Sequence, residues 1–70
     1  MTDGDDLYAV LEVAAHARPQ VIEAAFAVLR ELAARDDSAA AVRVLVRLNQ
    51  AHAVLCDPVR RADYDGERPR

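Results

Sequence analysis

Lysine and tryptophan are missing from this 70-residue chain, and cysteine, methionine and phenylalanine each occur once. The single cysteine, Cys56, excludes an intramolecular disulfide and by itself supplies no zinc site. Two glycines and three prolines leave no room for a glycine-rich phosphate loop or a low-complexity tract. No apolar run approaches the roughly 18–20 residues of a membrane span, and no basic-plus-apolar leader marks export. A cytoplasmic protein without a membrane segment is therefore the expectation. No stretch shows sustained period-two alternation of β-branched residues, so strands are not expected. No nucleophile–base pair or carboxylate dyad stands at a useful spacing, so an enzyme is not expected either.

What is present favours helices. Fifteen residues are Ala, seven Leu and nine Val, and Ala and Leu are among the strongest helix formers. Seventy residues make one domain. A domain this small buries only about 60% of its unfolded surface, so it needs well-packed regular elements to hold together. The net charge of −3 is unevenly spread. Residues 1–41 carry three Arg against eight acids, and residues 42–70 carry six Arg against four. That weakly basic final third lacks the dense basic stripe of a nucleic-acid binder. All nine basic residues are Arg, a bias that, with so much Ala, points to a GC-rich bacterial host.

Local signals predict four helices. Residues 1–5 read as a polar, acidic tail. Asp6 is placed to cap a short helix bearing Leu7, Tyr8, Val10 and Leu11. Pro19 suits the first turn of a second helix, whose apolar face is Ile22, Ala25, Phe26, Leu29 and Ala33 and whose end falls near Ala34. Arg35-Asp36-Asp37-Ser38 reads as a tight loop, with Asp37 or Ser38 capping a third helix. The core face of that helix is Ala41, Leu45, Leu48, His52 and Leu55. Asp57-Pro58 restarts the chain as N-cap and first helical residue of a short fourth helix. Gly66 is expected to end it as a left-handed cap, closing a domain over 6–66, with 67–70 as a tail or the start of a linker. The expected fold is all-α, with helices two and three forming an antiparallel hairpin between two short helices.

Three stretches carry a family resemblance. Asp6-Leu7-Tyr8-Ala9-Val10-Leu11-Glu12-Val13 resembles the opening of a J-domain, where an aspartate and a tyrosine precede Leu-Gly-Val. Ile22-Glu23-Ala24-Ala25-Phe26 through Leu29 is similar to its second helix. Leu48-Asn49-Gln50-Ala51-His52-Ala53-Val54-Leu55-Cys56-Asp57-Pro58-Val59-Arg60-Arg61-Ala62-Asp63-Tyr64-Asp65 resembles the family's Ile-Asn-x-Ala-Tyr-x-Val-Leu-Ser-Asp-Pro-x-Lys-Arg-x-x-Tyr-Asp. The resemblance to the DnaJ co-chaperone family implies a J-domain fold over residues 6 to 65. It also implies a partner, the DnaK-type heat-shock ATPase, met through a His-Pro-Asp tripeptide after helix two and through basic residues on that helix.

The chain departs from the family at both docking features. Aligned without gaps from Ala25-Phe26, the tripeptide falls on Ala34-Arg35-Asp36, which keeps only the aspartate. Residues 20–34 hold one base, Arg30, against Glu23 and Glu31, so steering toward an acidic partner is weak. Apolar residues stand where bases are usual: Val21, Ala24, Val28 and Leu32 widen the stripe on helix two. Val42, Val44 and Val46 occupy positions on helix three that are usually polar. A patch of this kind marks a protein partner or self-association; the alternative is an Ala-rich surface exposing scattered methyl groups.

The remaining chemistry-bearing residues have structural readings. His52 replaces a family tyrosine facing the first helix and is expected as a packed, hydrogen-bonded core histidine. His16 is expected in solvent, and the two histidines share no obvious third ligand, so no metal site or cofactor is expected. Cys56 reads as filler, and Asp36 and Asp37 as helix-capping acids. Arg61, like its family counterpart, is expected to brace the last helix by an ion pair, with Asp65 four residues on. The functional expectation is a J-like adaptor unable to stimulate the chaperone ATPase. The alternatives are an active co-chaperone relying on Asp36 alone, or a structural appendage of a longer chain.

Overall fold

Among the described residues of the computed structural model, three of the four helices begin where a side chain meets the otherwise unpartnered first-turn amides. In α1 (Leu7–Val10) the Asp6 carboxylate accepts from the amides of Tyr8 and Ala9 at 3.0 and 3.4 Å. Helix α2 (Pro19–Ala34) has no side-chain cap and opens instead on Pro19, which has no amide hydrogen to satisfy. Ser38 Oγ accepts the Ala41 amide at 3.1 Å to start α3 (Ala39–Leu55). Asp57 Oδ1 accepts the amides of Val59 and Arg60 at 2.9 and 3.2 Å to start α4 (Pro58–Glu67).

The end of α1 is equally well defined. The Glu12 amide bonds the Ala9 carbonyl and the Val13 amide reaches back to the Tyr8 carbonyl, both at 3.0 Å. These two bonds form a Schellman motif, which requires a left-handed residue. Glu12 takes that conformation, with φ 58°, and is the one non-glycine residue with positive φ among those described.

Helix α3 is the hub: it packs on α2 as an antiparallel hairpin and also contacts α1 and α4. The buried core is Tyr8 and Leu11 from the α1 segment, Ile22 from α2, and Leu48, Ala51 and Leu55 from α3. Phe26, Leu29, Leu45 and Val54 pack around it half-buried. The molecule measures 36 × 28 × 17 Å. Its thin dimension is less than two helix diameters of about 10–12 Å, so each helix turns one face inward and leaves the rest to solvent. No described helix is long and apolar enough to cross a membrane.

The structure describes residues 6–67, and all regular structure there is helical. The predicted tail over 1–5 and positions 68–70 of the predicted linker lie outside those residues. Two expectations need correction. Gly66 is not a left-handed cap: α4 runs through it to Glu67, which belongs to the helix and not to a tail. A single helical glycine costs only about 1 kcal/mol against alanine, too little to end a helix on its own. His52 faces Glu23 and Phe26 of α2, not α1.

Candidate functional site

The loop joining α2 to α3 is built from short-range contacts. Ala34 is the last residue of α2, and Arg35 follows as its C-cap with ordinary helical angles. The Arg35 guanidinium lies back along α2, 3.8 Å from Glu31 one turn earlier, with both side chains largely in water. Such an exposed pair is worth at most about 1 kcal/mol. The Asp36 carboxylate accepts the Ser38 amide at 2.9 Å, closing an Asx turn, and Ser38 caps α3. Asp36 is thus a turn former and not the helix-capping acid expected of it, and of Asp37 and Ser38 it is Ser38 that caps α3.

The residues singled out on α2 lie beside its core face. Val21 is 50% exposed, Val28 56% and Leu32 52%, and Ala24 is exposed with them. Two shallow grooves run beside them. One joins Leu32 and Ala33 to Val10, Ala41, Val44 and Leu48 across the hairpin. The other joins Val21, Ala24 and Val28 to Leu11 and Val13 of the α1–α2 connection. Leu29 and Glu12 line both, so the grooves make one apolar band from Val21 to Val44. At about 100° per residue, Val42 and Val46 point some 160° away from Val44 and lie outside the band. Arg30, the single base of residues 20–34, sits with its guanidinium 5.5 Å from the centre of the Phe26 ring.

Two further clusters are polar. At the joint of α1 and α4, the Tyr8 hydroxyl donates to Asp65 at 2.6 Å and accepts from Arg61 Nε at 3.0 Å. The same guanidinium donates to the carbonyls of Ala15 and Ala17 at 3.1 and 2.7 Å. Its ion pair with Asp65 is long at 4.0 Å. Arg61 therefore braces α4 through Tyr8 and the loop carbonyls more than through the expected ion pair. Burial foremost, then the bond to Asp65, raises the Tyr8 phenol above its ordinary range.

The second cluster joins α2 to α3. His52 Nε2 lies 3.1 Å from Glu23 Oε1, and the imidazole stacks on Phe26 with ring centres 4.0 Å apart. The Cys56 thiol faces the same carboxylate. The Glu23 carboxyl is held below its usual value, first by its bond to His52 and then by Cys56. Burial, reinforced by Glu23, pushes the Cys56 thiol up to about 11. The His52–Cys56 spacing of one turn was legible in the sequence. The third member was not, because Glu23 is 29 residues away and arrives only through the register of the hairpin. His16 is exposed and takes no part.

Comparison with known proteins finds no family model, no curated protein and no solved structure that matches this chain.

Proposed function

We propose that this chain is a J-domain-like interaction module that binds protein through its α2–α3 hairpin and does not stimulate a DnaK-type ATPase. The observation that carries this reading is the state of the α2–α3 loop. Ala34 has no polar side chain, Arg35 lies along Glu31, and Asp36 turns its carboxylate onto the Ser38 amide. None of the three offers the docking group that a His-Pro-Asp tripeptide would.

Other features support the same reading. The glycine of the resembling Leu-Gly-Val falls on Glu12, and Glu12 holds the left-handed angle that glycine tolerates best. A long helical hairpin flanked by a short capped helix on each side supports the reading. In place of a basic face, α2 presents the apolar band around Val21, Val28 and Leu32, a surface suited to another protein's apolar side chains. A second copy of the chain is one partner of that chemistry.

The deciding experiment is single-turnover ATP hydrolysis by a bacterial DnaK-type chaperone with and without the domain. The natural chain is expected to leave the rate unchanged. Stimulation that disappears in Asp36→Ala would overturn the adaptor reading in favour of an active co-chaperone with an atypical loop. An Ala34→His plus Arg35→Pro variant run alongside reports whether the rest of the surface retains docking capacity. The band itself is tested by sedimentation velocity over a range of concentrations. Val21→Ala, Val28→Ala and Leu32→Ala should reduce any self-association of the native chain, and unchanged behaviour counts against this surface.

A further inference from the structure

Outside the loop and the apolar band, one group of side chains combines three different metal-ligating chemistries. Glu23 offers a carboxylate, His52 an imidazole nitrogen and Cys56 a sulfur, and the three donor atoms lie within 4.8 Å of one another. We propose that Glu23, His52 and Cys56 form a binding site for one zinc-type divalent transition-metal ion, pinning α2 to α3 near the end of the hairpin remote from its loop. The site is independent of the J-domain-like reading.

The geometry is close to what coordination needs. Zinc bonds of about 2.0–2.3 Å to oxygen, nitrogen and sulfur in tetrahedral array put donor atoms roughly 3.4–3.6 Å apart. Glu23 Oε1 and His52 Nε2 already stand at 3.1 Å. The sulfur lies within 4.8 Å of both, so it has on the order of 1 Å to close to reach a tetrahedral spacing. His52 and Cys56 are one turn apart, so both side chains project from the same side of α3. The Phe26 stack at 4.0 Å holds the imidazole plane, limiting the rotamer freedom lost on binding. The half-exposed Glu23 and His52 side chains, at 58% and 31%, leave an entry path and an open fourth position for water.

The ligand set also selects the metal. A thiolate with an imidazole favours zinc and its softer neighbours over calcium or magnesium, which take oxygen donors. Without metal, the thiol keeps its proton and the carboxylate serves as its neighbour and as the partner of His52. On binding, the Cys56 proton passes to solvent as the sulfur–metal bond forms.

Cobalt(II) titration of the full chain, under reducing conditions, reads the site directly. A 1:1 complex is expected, with tetrahedral visible bands and a sulfur-to-cobalt charge-transfer band in the near ultraviolet, displaced by zinc. Cys56→Ser should abolish the charge-transfer band, and His52→Gln and Glu23→Gln should each weaken binding while leaving the helical circular dichroism of the metal-free chain unchanged. In the unmutated protein, zinc should raise the melting temperature and slow alkylation of Cys56 by about tenfold or more, whereas magnesium does neither. Absence of the sulfur band, or zinc binding that persists in Cys56→Ser and His52→Gln alike, overturns the proposal and leaves the cluster as a hydrogen-bonded latch.

Discussion

Glu12 carries an L side chain in a conformation that L residues adopt at a cost of roughly 1–2 kcal/mol. The Schellman bonds that close α1 impose it. Glu12→Gly relieves that strain and returns part of the gain as extra freedom of the unfolded chain. A net increase of about 0.5–1 kcal/mol in unfolding free energy is expected, measured by urea denaturation, and a decrease would show that the glutamate makes a compensating contact. Cys56 provides a second test at this scale. With its thiol pushed up to about 11 by burial and by Glu23, it should alkylate slowly at neutral pH without metal. Its rate should climb through pH 11, and Glu23→Gln should move that midpoint downward. A midpoint near that of free cysteine would show the burial to be transient.

Among the elements, α4 is the most dependent on polar side chains. It makes backbone-level contact with α3 only, and its tie to α1 runs through Tyr8, Arg61, Asp65 and the bond from the Leu7 amide to Tyr64 Oη at 2.9 Å. Arg61→Ala removes the bond to Tyr8 and the two to the Ala15 and Ala17 carbonyls, and is expected to cost about 2–3 kcal/mol. Amides of α4 should lose exchange protection before those of α2 and α3. The raised Tyr8 phenol adds a pH dependence. The folded state holds the proton more tightly than the unfolded chain, so this contribution is complete below the ordinary tyrosine value of 10.0 and is lost as pH rises through the folded value. Alkaline destabilisation should therefore be shallower in Tyr8→Phe than in the native chain, as followed by urea midpoints across that range.

The same division by range explains what the sequence discloses. The starts of the helices at Asp6, Pro19, Ser38 and Asp57 are legible because capping is decided by residues two or three positions apart. The periodic faces of α2 and α3 are legible for the same reason. What is hidden depends on tertiary register: the approach of Glu23 to His52 and Cys56, the carbonyls of Ala15 and Ala17 that take up Arg61, and the turn of His52 toward α2. Ala51, fully buried, escapes notice because a small residue among fifteen alanines carries no periodic signal of its own. Gly66 misleads because a residue that favours a helix end does not compel one.

For the molecule as a whole, its thinness separates stability from surface function. Leu48 lies at the centre of the core, and Leu48→Ala should cost about 2–5 kcal/mol. The half-exposed Val21, Val28 and Leu32 should each change stability by no more than about 0.5 kcal/mol when cut to alanine. A thermal or chemical denaturation series that reversed this order would mean the apolar band is part of the core. The contrast makes the surface experiments clean, since loss of association in the α2 variants cannot then be ascribed to unfolding.

The bond between Leu7 and Tyr64 joins residues 57 apart in sequence. A polypeptide that enters the fold at α1 therefore leaves it, at α4, close to where it came in. A domain with its entrance and exit side by side can be spliced into a surface loop of a larger host without prising that host apart.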